Sequence, residues 1–301
     1  MPYIKTKLPN NGKKAFQVLM EALKIPINEA QRLIDKKRLF CDGKLVEEKN
    51  KILNGTVELI VYETHPKGVE IVFENEDFAV LEKPSGVLSH PNGRHCQYSL
   101  GDEIWHLWGK QASIAHRLDK ETSGLMLIAK NKHAQIQFKT MFEKKQIQKE
   151  YLALVSGKIE KNFKINARIN LVKNYHDVKT RMQICEKGKK ALTEFEILNF
   201  FPKYNCTLLL CKPLTGRQHQ IRIHLYHAKH PILGDPLYGL KKEEIEAILD
   251  RKINLEERIH LTGAKRLCLH AKSLKFTFKD CQFIVNSKKN IENEFIKALH
   301  I

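Results

Sequence analysis

No two of the seven cysteines form a Cys-x-x-Cys pair, and their number is odd. That argues against a disulfide scaffold or a zinc knuckle and fits a reducing cytoplasm, the expected location. No apolar run approaches the ~20 residues needed to cross a bilayer, so no membrane partner is expected. The opening residues, Met1-Pro2-Tyr3-Ile4-Lys5-Thr6-Lys7, carry no apolar signal core. A Gly-rich phosphate loop and an internal repeat are both missing, and nothing calls for a nucleotide cofactor. Acidic residues are also in deficit: 34 Asp and Glu against 52 Lys and Arg leave a formal charge of +18. The excess disfavours self-association, so a monomer is expected, and it attracts polyanions, nucleic acid first. A merely solvated Lys-rich surface would carry the same charge, so the decision falls to the motifs.

At 301 residues the chain suits one large domain and a small one. Residues 1–62 form the small unit, 63–68 the linker and 69–301 the large domain. In the small unit, short helices are expected over Lys14–Leu23 and Asn28–Lys37, the second capped by Asn28 or by the turn before it. Asp42-Gly43 marks a hairpin, and Val57–Tyr62 a closing strand. Arg32 and Lys36 belong to a basic run on or just after the second helix. Helix, basic helix and hairpin in this order resemble the RNA-binding module named after ribosomal protein S-four.

The large domain interleaves strands and helices without regular alternation, which predicts an α+β fold with a mixed, mostly antiparallel sheet and flanking helices. Strands are expected at Val69–Phe73, Phe78–Leu81, Lys149–Val155, Lys164–Ile169, Leu192–Leu198, Cys206–Cys211 and Ser273–Phe278. Helices are expected at Asn131–Lys145, Gln218–Lys229, Lys241–Lys252 and Ile291–Leu299. Helical spacing puts His219, Arg222 and Tyr226 on one face, fit to hold a guanidinium beside a carboxylate from another loop.

The stretch around which the chain is organised runs from Ser113 to Leu125. A short apolar strand breaks into His116-Arg117-Leu118-Asp119, passes Thr122-Ser123-Gly124 and returns as the apolar run Leu125–Ala129. Turn chemistry accounts for Asp119, Ser123 and Gly124. It leaves unexplained two charges, Arg117 and Asp119, at the end of a buried strand, where a charge is costly unless paired or used.

These residues resemble the signature of the RluA family of RNA pseudouridine synthases. Further matches follow in order: Lys83-Pro84-Ser85-Gly86 through Pro91, Lys149-Glu150-Tyr151, Leu214–Gly239 and Leu269-His270-Ala271. The resemblance spans about residues 70–280. It implies an enzyme that detaches uracil from ribose, turns the base and rejoins it through carbon 5, with no cofactor and no metal. It also implies Asp119 as the catalytic carboxylate, Arg222 as its partner and Tyr151 as the flat face against the uracil. The expected RNA contacts are Arg117, His116, Lys83 and Arg217, with Arg32 and Lys36 in the small unit. Arg117 either fills the place vacated by the flipped base or clamps a phosphate. Structured RNA is the expected partner, large-subunit ribosomal RNA first and transfer RNA second.

Two rivals come from other classes. His219, His224, His227 and His230 with Asp235 suggest a metal hydrolase, but their spacing matches no standard zinc pattern. A non-catalytic RNA-binding protein would explain the charge without using Asp119.

Overall fold

The computed structural model describes residues 3–91, 96–172 and 181–299. The eight residues 173–180, within the Lys-rich connection 156–190, and the chain ends lie outside the described residues. Two compact units emerge: Met1–Pro66 together with Pro91–Glu103, and Lys67–His90 together with Ile104–Ile301.

The first unit is a four-stranded antiparallel sheet with two helices. Its elements are β1 (Tyr3–Leu8), α1 (Ala15–Leu23), α2 (Ile27–Asp35), β2 (Leu39–Cys41), β3 (Lys44–Leu45) and β4 (Val57–Tyr62), with strand order β1-β4-β2-β3. Ala15, Val18, Leu19, Ala30 and Ile34 bury the helix faces against Leu39, Val57 and Leu59. Asp42 (φ 49°) and Gly43 (φ 74°) are both left-handed, as a two-residue hairpin of this twist requires. Strand β1 is not legible in Tyr3–Leu8, whose lysines mask its alternation; pairing along all of β4 creates it. The second helix begins after Pro26, in the turn before Asn28, and stops at Asp35. The segment Pro91–Glu103 is tied here by Tyr62, whose hydroxyl donates to Asp102 at 2.6 Å.

The second unit is built on a ten-stranded, mostly antiparallel sheet. Its elements are β5 (Glu70–Glu74), β6 (Phe78–Lys83), α3 (Leu100–Trp108, which starts in the first unit), β7 (Ser113–Ile114), β8 (Ser123–Ala129), α4 (Lys132–Glu143), β9 (Gln148–Ser156), β10 (Phe163–Asn166), β11 (Ile169–Leu171), β12 (Met182–Ile184), β13 (Leu192–Phe201), β14 (Cys206–Pro213), α5 (Gln220–His227), α6 (Lys242–Leu249), α7 (Leu255–Thr262), β15 (Leu269–Phe278), β16 (Cys281–Asn286) and α8 (Ile291–Ala298). The order β10-β13-β14-β9-β15-β8-β6-β5 carries β16 on β15 and β7 on β8, while β11 and β12 form a separate ribbon. The fold is α+β, as the sequence pattern implies.

Phe78–Leu81 and Leu125–Ala129 are unbroken apolar runs because both faces of these central strands are covered; every residue of β6 and β8 is buried. Asn131 caps α4 by accepting from the Ala134 N–H at 2.9 Å. The helix then lays Ala134, Phe138 and Met141 onto Phe78, Phe276 and Phe278, with the Phe138 and Phe278 rings 4.9 Å apart. Two glycines set the neighbourhood of the site. Gly124 lies where β8 pairs in parallel with β15, and a β-carbon there would collide with the Ala271 backbone. Gly234 is left-handed (φ 79°) and packs against the Arg266 carbonyl with no room for a side chain. Helix α5 is shorter than its periodicity implies, since His219 caps it rather than joining it. The span 164–169 holds the ends of two strands rather than one strand, and α3, α7 and β16 are present in addition to the expected elements.

Candidate active site

Asp119 stands on the loop between β7 and β8, its side chain 27% exposed. That loop is held from beneath by the Lys83–Ser89 segment. Lys83 is fully buried, and its ammonium donates to the carbonyls of Pro84 (2.8 Å), Val87 (2.7 Å) and Lys120 (3.0 Å). Ser85 donates to the Glu121 carbonyl at 2.6 Å, and Ser89 both donates to the Leu118 carbonyl and accepts from the Leu118 N–H. The carbonyls of Leu118, Lys120 and Glu121, on either side of Asp119, and the Leu118 N–H are thereby paired.

Two of the expected RNA contacts are engaged inside the protein, and a third residue lies on a different element than its sequence setting implies. An ammonium has three N–H groups, and all three of Lys83 are used inside the protein. His116 is likewise internal. Its Nε2 accepts from the Leu127 N–H at 3.1 Å, its ring lies 5.1 Å from Phe142, and burial pushes its pKa down to about 3. A neutral ring serving as acceptor anchors the loop and offers RNA no charge. Arg117 sits not on a buried strand but on the exposed loop, because β7 ends at Ile114.

Arg222 comes from α5, a helix with six consecutive buried residues from Gln220 to Leu225. Its guanidinium forks onto Asp235, Nε to Oδ2 and Nη2 to Oδ1, each at 2.7 Å. The remaining edge reaches Asp119, Nη1 to Oδ2 at 3.0 Å. Asp235 is itself pinned by the Leu237 and Tyr238 N–H groups, which donate to Oδ1. Burial acts against the charge of Arg222, but Asp235 and Asp119 more than offset it and raise its pKa. Burial also opposes ionisation of Asp119, yet the nearby positive groups, His219 when protonated, Arg222 and Lys83, hold its carboxyl below the usual range. Sequence alone pairs Arg222 with Asp119 but misses Asp235, whose signal lies in the Gly234-Asp235-Pro236 turn.

Tyr151 lies on β9, opposite Cys211 and Ala271. Burial raises its pKa, and the charge of Asp119 adds to the rise, so the phenol stays protonated beside the carboxylate. His219 places Nε2 3.7 Å from Asp119 and Nδ1 3.2 Å from the Tyr238 hydroxyl. His224 and His230 turn elsewhere, to Thr193 and to the Ser156 carbonyl. Arg217 is exposed, with its Nε on the Lys190 carbonyl at 3.2 Å. In the first unit Arg32 and Lys36 are exposed, and the pKa of Lys36 is lowered by slight burial and by the charges of Arg32 and Arg38. The arrangement can hold an ionised carboxylate, oriented by a guanidinium, against a partly open surface with an aromatic face beside it.

Fold and site together define an RNA-modifying isomerase. Residues 77–227 match the family described as RNA pseudouridylate synthase. A protein of Helicobacter pylori (strain J99), named an uncharacterized RNA pseudouridine synthase, is 39% identical over 275 residues, 91% of this chain and 91% of its own. A ribosomal large subunit pseudouridine synthase D from Nitrosomonas europaea is 32% identical over 254 residues, 78% of this chain and 72% of that protein. Among solved structures, human RNA pseudouridylate synthase domain containing 1 aligns with a TM-score of 0.58 at 27% identity, covering 74% of this chain and 84% of that one. The chain belongs to the RNA pseudouridine synthase family, within its RluA branch.

Proposed function

We propose that this synthase acts on uridines of large-subunit ribosomal RNA, with Asp119 as the catalytic carboxylate. The observation that carries the assignment is the single open carboxylate held by Arg222, whose remaining charge Asp235 takes up. In the reaction the bond from ribose C1′ to uracil N1 breaks, the base turns, and C1′ bonds to C5. The C5 hydrogen leaves and N1 ends protonated, so atoms balance with no redox partner. Asp119, ionised, acts at the sugar carbon or the base as that bond breaks; Arg222 orients it, and Tyr151 supports the uracil and serves the proton step.

A uridine in folded RNA must leave its stack to reach Asp119. Arg117 and Arg217 are exposed cations fit for the phosphates or the vacated place. Residues 1–62 serve as an RNA-binding module gripping backbone through Arg32 and Lys36, joined by 63–68 to the catalytic domain 69–301, in a cytoplasmic monomer. The ribosomal target is supported by the names of relatives such as the Nitrosomonas europaea protein. The test is to map pseudouridines in ribosomal and transfer RNA from cells lacking the gene, then restore it as wild type or Asp119→Asn. Sites lost from large-subunit RNA and regained only with wild type are expected. Losses confined to transfer RNA would move the target, and no loss would overturn the reading.

A further inference from the structure

His219 holds a backbone conformation that L-residues rarely adopt, φ 53° and ψ 19°, as the residue capping α5. A side chain kept in the left-handed region persists only when its surroundings determine it. Here they are specific. The imidazole is buried, with Nδ1 3.2 Å from Tyr238 Oη and Nε2 3.7 Å from Asp119 Oδ2. The Tyr238 oxygen also accepts from the Met182 N–H at 3.1 Å. A backbone N–H can only donate, so the phenol is the acceptor there, and its own hydrogen is available to Nδ1. An imidazole that accepts at Nδ1 carries its proton on Nε2, the nitrogen that faces Asp119.

We propose that His219 is a positioning residue of the pseudouridine reaction, locked by Tyr238 as the neutral Nε2–H tautomer so that it steadies Oδ2 of Asp119. The inference rests on Asp119 being the catalytic carboxylate. Both neighbours address the same oxygen: Arg222 Nη1 lies 3.0 Å from Oδ2 and His219 Nε2 lies 3.7 Å from it. Oδ1 has no hydrogen bond among the described residues and is not sealed from solvent, which leaves it as the reacting oxygen. At 3.7 Å the imidazole is just outside hydrogen-bond reach. Contacts of this kind tighten when substrate fills a site.

Neutrality is the point of the lock. A second full cation on Asp119 would hold it more firmly and make it less reactive, whereas a neutral donor orients without adding charge. The groups facing the ring are Asp119 from the β7–β8 loop, Arg222 from α5, and Asp235 and Tyr238 from the turn after it, with the Met182 N–H of β12 behind Tyr238. Burial lowers the pKa of His219 most, Arg222 adds to that, and the two carboxylates only partly oppose it. Burial keeps Tyr238 protonated, hence a donor.

The test uses full-length protein labelled with ¹⁵N-histidine, together with kinetics on an RNA transcript the wild type modifies. His219→Asn assigns the resonance, because Asn tolerates left-handed backbone. At pH 7.5 the His219 ring is expected as the neutral Nε2–H tautomer. Tyr238→Phe keeps the aromatic ring and removes the hydroxyl; the tautomer should become mixed and kcat should fall about 3- to 10-fold. KM should stay within about twofold, and the acid limb of the kcat–pH profile should rise toward the ordinary imidazole value of about 6.5. A merely structural tyrosine would not move that limb. An Nδ1–H or cationic His219 in the wild type, or a Tyr238→Phe variant with wild-type tautomer and kcat–pH profile, would overturn the proposal. Failure of the Asp119 assignment is distinguishable: Asp119→Asn would keep its turnover while the tautomer result stood, and the positioning role would fall with it.

Discussion

Arg222 meets Asp235 as a two-toothed fork, both contacts at 2.7 Å, and both side chains are nearly sealed from solvent, at 3% and 2% exposure. The pair is buried before any RNA arrives, so the guanidinium is already fixed and already half neutralised when it addresses Asp119.

Removing one partner should therefore harm the fold as well as the chemistry. Asp235→Asn leaves a buried guanidinium with only the partly exposed Asp119 as counter-charge, a change expected to cost about 3–5 kcal/mol of stability. Denaturant unfolding would measure it. A midpoint shift worth less than about 1 kcal/mol, the level of an exposed pair, would contradict the picture.

Arg222→Lys keeps the charge and loses the fork. An ammonium cannot bridge two oxygens of Asp235 and still present a flat edge to Asp119. Turnover should drop by at least about tenfold, with RNA affinity little changed, because an interaction worth more than about 1.4 kcal/mol in the transition state is lost. Wild-type kcat in this variant would show that the pairing has no catalytic consequence.

Lys83 separates loop support from RNA binding. Lys83→Met removes three internal hydrogen bonds and should lower stability by about 2–4 kcal/mol. The salt dependence of RNA binding should not move, since no phosphate contact is lost. By contrast, the double variant Arg32→Gln, Lys36→Gln should make that slope shallower by about 1–2 units in log–log form if both residues touch phosphate. A shallower slope for Lys83→Met, or an unchanged one for the double variant, would reverse these assignments.

Much of this was legible beforehand, and the reasons are physical. Asp42-Gly43, the Asn131 cap and the unbroken apolar runs of β6 and β8 each have local causes, so local sequence revealed them. Asp119, Arg222 and Tyr151 are expectations that the resemblance supplies, and the fold brings Arg222 to Asp119 across 103 residues of separation. Asp235 escaped because its role depends on Arg222 of α5, even though the Leu237 and Tyr238 N–H groups that pin it are near in sequence. Lys83 and His116 lie in segments that resemble the family's, and a resemblance in sequence does not reveal that carbonyls surround the one ammonium or that a Phe ring lies against the other side chain. Strand β1 exists chiefly through its partner β4.

The acid side of the activity profile follows from Asp119. Burial works against its ionisation, but the positive groups around it, His219 when protonated, Arg222 and Lys83, bring its pKa below the ordinary carboxylate value. A depressed folded pKa gives a contribution that is present above the unfolded value, about 3.9, and is lost as pH falls through the folded one. Ionisation of the Asp119 carboxyl should thus impose no loss of kcat between about pH 7 and pH 5. A limb at pH 6–7 that survives in His219→Asn would assign a raised pKa to the working carboxylate instead.

The most direct measurement is pseudouridine formation by Asp119→Asn under single-turnover conditions, with RNA affinity measured on the same preparation. The substitution preserves shape and removes only the charge that Arg222 holds. The expected result is a rate lower by roughly 10³-fold or more, with affinity and unfolding midpoint close to wild type. Turnover within a few-fold of wild type would contradict the assignment of Asp119 as the residue that performs the isomerisation.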